Sequence, residues 1–245
     1  MNSQIAVLSL TAASIAFMHT IFGPDHYLPF VVLSKARKWS NLKTIWITIL
    51  CGIGHVGSSI LIGFIGIATG IALSKLQYFE SLRGNIAGWL FIGFGLAYAV
   101  WGFRRALKNK THTHAHFHLN GKKHDHEHTH FVEHAHIHTG ENDETNEKVD
   151  YKSLTPWILF VIFVLGPCEP LIPLVMFPAL EHSTLGVITV SAVFGIVTIA
   201  TMTTIVILMT TGISFVKLEK LEKYTHALAG SAIFLSGMAI QFLGL

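Results

Sequence analysis

Two stretches decide how this chain folds: His19-Thr20-Ile21-Phe22-Gly23-Pro24-Asp25-His26 near the start and Leu165-Gly166-Pro167-Cys168-Glu169-Pro170 past the middle. Each lies in an apolar run long enough for a membrane helix, and each interrupts it with a Gly-Pro step beside side chains that ligate metals. Proline removes a backbone donor and clashes with the preceding turn. In a bilayer the groups so freed must be buried in protein or line a cavity. Both stretches are therefore expected to be helix breaks facing the interior of a bundle.

The composition around them is that of an all-α polytopic membrane protein. Of 245 residues, 51% are hydrophobic and 13% charged, and the mean hydropathy is +0.53. A hydrocarbon core of about 30 Å takes about 20 apolar residues per helix. Runs at 4–34 (interrupted at 23–26), 44–73, 84–107, 155–180, 185–213 and 225–244 meet that length. Six transmembrane helices are predicted, the first and fourth broken. Residues 1–107 make a first three-helix unit and 154–245 a second. The polar, biased segment 108–153 between them is a disordered insert, because it holds too little apolar surface to form a core.

Orientation is read from Lys and Arg. Lys35, Arg37, Lys38, Lys43, Arg104, Arg105, Lys108, Lys110, Lys122, Lys123, Lys148, Lys152, Lys217, Lys220 and Lys223 fall on one side, against Lys75 and Arg83 on the other. The insert is thus expected in the cytoplasm and both termini outside, in a plasma membrane (the inner membrane of a bacterium). No Lys or Arg precedes Lys35, and the apolar start is too long for a signal-peptide core, so the first run is read as a span. The net charge of +3 follows from this orientation and gives no reason to expect nucleic acid. Cys51 and Cys168 both lie at membrane depth and are uninformative about redox compartment.

A shift of 143 residues carries Gly23-Pro24 onto Gly166-Pro167, Gly52-Ile53 onto Gly195-Ile196 and Ser58 onto Thr201. Three spans per unit is an odd number, so the second unit runs inverted relative to the first. Inverted repeats whose broken helices meet at the midplane are a recurrent transporter design. At about 1.5 Å per residue, His55 lies about 15 Å into the second span, and Cys168-Glu169 about 18 Å into the fourth. Gly66/Gly70 and Gly84/Gly88 are small-residue pairs suited to close helix packing. Trp89 and Trp101 read as interface anchors, and Glu181-His182 as an outer turn.

Asp25 and Glu169 are carboxylates at membrane depth, where a charge needs a partner or a wet path. With His19, His26, His55 and Cys168 they form a candidate metal site. Imidazole and carboxylate with one thiolate at most suits nickel, cobalt, zinc or iron. In the insert His112, His114, His116, His118, His124, His126, His128, His130, His134, His136 and His138 account for most of the 16 histidines. Alternating His in such a tract makes a multidentate, unselective metal-capture loop. His126-Glu127-His128-Thr129-His130 fits the H-E-x-x-H pattern, but that motif works only on a helix.

These features resemble the nickel/cobalt transporter superfamily. The likeness rests on His19 with Asp25-His26, on Gly54-His55-Val56-Gly57-Ser58, and on Gly166-Pro167-Cys168-Glu169-Pro170. The six-span plan with a cytoplasmic His-rich loop is similar to the efflux branch. The Gly-Pro-Asp-His stretch is similar to the urease-accessory-like membrane branch. The spacing from His19 to Asp25-His26 is one residue longer than the His-x4-Asp-His of the uptake transporters.

The resulting expectation is a non-enzymatic carrier of a divalent metal ion, Ni2+ or Co2+ before Zn2+. It would have no prosthetic group and work by alternating access around a midplane site, with export slightly favoured. Its partners would be the ion, the lipid bilayer and a cytoplasmic metallochaperone. The alternative is a membrane thiol–disulfide electron carrier, which the proline-flanked Cys168 also resembles. Those carriers use one cysteine per half, whereas here Cys168 matches Asp25 and Cys51 matches Phe194.

Overall fold

The computed structural model describes residues 3–108, 112–117, 123–128, 151–181, 183–214 and 219–243. Eight α-helices make the body: α1 (Ser3–Phe22), α2 (Leu28–Ala36), α3 (Asn41–Thr69), α4 (Leu73–Lys108), α5 (Tyr151–Leu165), α6 (Leu171–Leu180), α7 (Thr184–Ser214) and α8 (Thr225–Leu243). Among the described residues, five helical segments are long and apolar enough to cross a membrane: Ser3–Phe22, Asn41–Thr69, Leu73–Lys108, Thr184–Gly212 and Glu222–Leu243. This is an integral membrane protein. The expected set of six spans is corrected to eight helices, because Gly23-Pro24 splits the first predicted run into α1 and α2. Gly166 to Pro170 likewise splits the fourth into α5 and α6.

Local chemistry sets the ends. α1 stops where Gly23 donates its N–H to His19 O at 3.0 Å. Pro24 opens a 3-10 turn, Pro24–His26, where its missing donor costs nothing. α3 begins at Ser40, whose hydroxyl accepts from Lys43 N at 3.3 Å. It ends at Gly70, in the left-handed region at φ 66°. Gly70 is therefore a cap rather than a packing residue, and only Gly66 of that pair meets a neighbour, Leu76.

Two apolar cores hold the bundle. One gathers Phe30, Leu33, Cys51, Phe163, Met202 and Ile233; the other Ala16, Val56, Cys168, Leu171, Val190 and Phe194. α4 lies along α8, and their backbones approach where Gly95 meets Phe234 and Gly230 meets Ala99. Outward-facing Leu10, Trp46, Leu61, Leu208 and Leu235 remain exposed, as a lipid-facing surface requires.

α4 starts eleven residues before the expected span and, with 36 residues, is about 54 Å long. Lys75 and Arg83, read as loop charges, are on this helix. Trp89, read as an end anchor, falls near its middle. Within the insert, expected to be structureless, His112–Phe117 pairs antiparallel with Lys123–His128, in a register that sets His112 opposite His128, His114 opposite His126 and His116 opposite His124. Strict alternation of His with other residues is a strand period. His118, His130, His134, His136, His138 and His182 lie outside the described residues.

Candidate metal centre

The first break brings its ligands together by purely local bonding. The 3-10 turn closes with His26 N–H donating to Gly23 O at 3.1 Å. It sets Asp25 and His26 side by side, with His26 Nδ1 3.2 Å from Asp25 Oδ1 and 3.2 Å from Gly23 O. A carbonyl oxygen only accepts, and so does an ionised carboxylate; Nδ1 therefore carries the proton and Nε2 a free lone pair. On α3, His55 is oriented in the same sense: its Nδ1 donates to Phe163 O at 3.3 Å. Ligating histidines are held in this way, by a carboxylate or carbonyl on the nitrogen remote from the metal.

The other nitrogens have no partner. Nε2 of His19, His26 and His55 is buried in each case without a hydrogen bond, although a buried polar atom left unsatisfied costs about 1–3 kcal/mol. The rings are adjacent, with centroids 4.7 Å apart for His19 and His26 and 5.0 Å apart for His26 and His55. Cys168 completes the group, since one ligand atom from each of His19, His55 and Cys168 lies within 4.8 Å of the others. Two bonds of about 2.0–2.3 Å to a shared ion span at most about 4.6 Å, so capture needs only a small closure.

The second break is held from outside. Cys168 N–H donates to Ser59 Oγ and Glu80 Oε2, both at 3.1 Å, and Ser59 Oγ donates to Glu80 Oε2 at 2.9 Å. Arg83 pairs with Glu80 and donates to Ser58 Oγ at 2.6 Å, Val164 O at 2.7 Å and Gly166 O at 3.2 Å. Glu80 is fully buried and Arg83 nearly so. The backbone groups freed at Pro167 are thus satisfied by a carboxylate and a guanidinium from α4.

A cavity of about 810 Å³ reaches the first break. Its wall includes His19, Asp25, His26, Asn85, Glu169 and Gln241, so it extends toward the end of the bundle where α4 begins and α8 finishes. On the other side of His55 the Phe163 ring, 6.1 Å away, packs against Phe30 and Phe91 in the apolar core. The ligand cluster thus borders a cavity on the side of His19 and His26 and the apolar core on the side of His55.

Of the residues expected in the site, His19, His55 and Cys168 converge, the His26 ring packs against those of His19 and His55, and Asp25 stands behind His26. Glu169 does not enter the ligand cluster; its side chain is exposed on the cavity wall. The sequence reading missed Glu80, Arg83 and Ser59. The signal was present: Leu76, Glu80, Gly84, Ala87, Gly88 and Phe91 form one buried helical stripe, and a carboxylate on such a stripe needs a partner. Comparisons with family models, with curated proteins and with solved structures give no match.

Proposed function

We propose that the protein carries a divalent transition-metal ion across its membrane, Ni2+ or Co2+ in preference to Zn2+, around His19, His26, His55 and Cys168. The observation that carries this reading is the meeting of His19 and His55 with a buried thiol, a third bare imidazole nitrogen on the adjacent His26 ring, and a cavity at their side. A packing histidine would have both nitrogens bonded. Here the Nδ1 atoms of His26 and His55 are held while Nε2 is left bare. Asp25 fixes the His26 ring, raises its basicity and compensates part of the ion's charge. Glu169, on the cavity wall, would attract the cation toward the cluster.

Alternating access by two inverted repeats, α1–α4 and α5–α8, is supported by the helix ends. Under the 143-residue shift the end of α1 at Phe22 falls on the end of α5 at Leu165, the start of α2 at Leu28 on that of α6 at Leu171, and the start of α3 at Asn41 on that of α7 at Thr184. The bond from Gly23 N–H to His19 O recurs as Gly166 N–H to Ile162 O at 2.9 Å. α1 packs on α7 as α5 packs on α3. Rocking of one half against the other would open the side of the apolar core and close the cavity.

The Lys/Arg asymmetry supports a cytoplasmic insert, where its histidines would load an exporter, and the likeness to the efflux branch of the nickel/cobalt superfamily points the same way. The test is calorimetric titration of Ni2+, Co2+ and Zn2+ into the detergent-solubilised chain lacking residues 110–140, with and without His26→Ala. One ion per chain, lost in the variant, supports the reading. Undiminished binding in the variant, or none in its parent, overturns it.

A further inference from the structure

α4 contributes no metal donor, yet it carries the one buried Arg–carboxylate pair among the described residues. Taking two such charges out of water costs several kcal/mol per ion, and an apolar pair of similar volume is often no less stable. The location of their hydrogen bonds offers a reason for having them. Glu80 Oε2 accepts from the backbone N–H of Cys168, and Arg83 donates to the carbonyls of Val164 and Gly166. Three backbone groups on the two sides of Pro167, one of them on Cys168 itself, are therefore fixed by one ion pair.

The same network reaches the other ligand helix. Arg83 donates to Ser58 Oγ, which donates to His55 O at 2.8 Å. Ser59, one residue on, bridges Glu80 and Cys168. Both Glu80 oxygens are used within the network, so its carboxylate positions donors without being one.

We propose that Glu80 and Arg83 are positioning residues of the metal centre: they hold the second break so that the Cys168 sulfur stands beside His19 and His55, and so give the site its affinity for ions that accept sulfur. The proposal rests on the transport-site reading above. A thiolate is the soft donor of the set. With the anchor gone, the imidazoles would still bind, and the site would behave as a harder, nitrogen-only one.

Cobalt(II) tests this on the full-length protein, because thiolate-to-cobalt charge transfer reports sulfur ligation alone and the His-rich insert contains no cysteine. Wild type is expected to show the band, and Cys168→Ser to lack it. Glu80→Gln keeps the side-chain shape but puts an amide nitrogen in place of an acceptor oxygen. It should lose the band, or reach it only at about 10- to 100-fold higher cobalt concentration, as other losses of supporting hydrogen bonds do. Ser59→Ala, which leaves the ion pair intact, should weaken the band partially, and it decides the matter if Glu80→Gln does not fold. An unchanged band in the folded variants overturns the positioning role. Cobalt bound by wild type without any thiolate band overturns it too, while the histidine site stands. A thiolate-to-cobalt band that is unaffected by His26→Ala and His55→Ala together removes the transport-site reading and this inference with it.

Discussion

The two helix breaks solve one problem by different means. At the first, chain neighbours do everything: Gly23 accepts from His26, Asp25 orients the His26 ring, and the ligands come from the break itself. At the second, the break supplies one ligand, Cys168, and leaves its backbone to Ser59, Glu80 and Arg83 on two other helices. A self-contained break keeps its geometry as long as its few residues remain. One held from outside depends on a charge pair that is costly once either partner is lost.

The largest expected effect follows from that dependence. Arg83→Met leaves Glu80 buried without its cation and should cost about 3–5 kcal/mol, seen as a large fall in thermal unfolding temperature in detergent. The matching lesion at the first break, Asp25→Asn, keeps a hydrogen-bond acceptor for His26 and should lower stability far less. Equal losses would mean that the second break does not depend on its distant support.

Glycine substitutions sharpen the contrast at the ligands. A Cβ at Gly23 would collide with His26 Nδ1 and stand 2.9 Å from Asp25 Oδ1, whereas one at Gly166 would stand 3.0 Å from His55 Nδ1. Gly23→Ala should therefore displace His26 and reduce metal affinity at least about 10-fold, with Gly166→Ala costing less. Titration of both variants checks the order.

The smallest effect is expected at the other thiol. Cys51 is buried in the apolar core with Met202 and Phe163, in a different cluster from Cys168. Cys51→Ser should cost about 1–3 kcal/mol for burying a hydroxyl and leave flux unchanged. Loss of flux with a trapped mixed disulfide would favour thiol chemistry instead.

The same contrast accounts for what was legible in the sequence. His19, Asp25 and His26 are close in the chain, so their meeting could be read from eight residues, and Gly-Pro marked both breaks. The partners of Cys168 are 88 and 109 residues away in sequence, and nothing local points to them. Arg83 was misplaced in a loop because apolar density rises only after Gly84, whereas the first turns of α4 are held by α3 and the second break, Leu76 against Gly66, Glu80 on Ser59 and Gly84 against Pro167. Glu169 read as an intramembrane ligand from its depth, but the turn at 169–170 points it into the cavity wall instead.

The most direct test of a transported ion at the histidine cluster is flux. Wild type and the His26→Ala, His55→Ala double variant, both with the insert intact, would be reconstituted into liposomes and Ni2+ or Co2+ movement followed with an entrapped indicator. The account predicts ion movement in the wild type and none above empty liposomes in the variant, although the insert still binds metal. Undiminished flux in the double variant would contradict it.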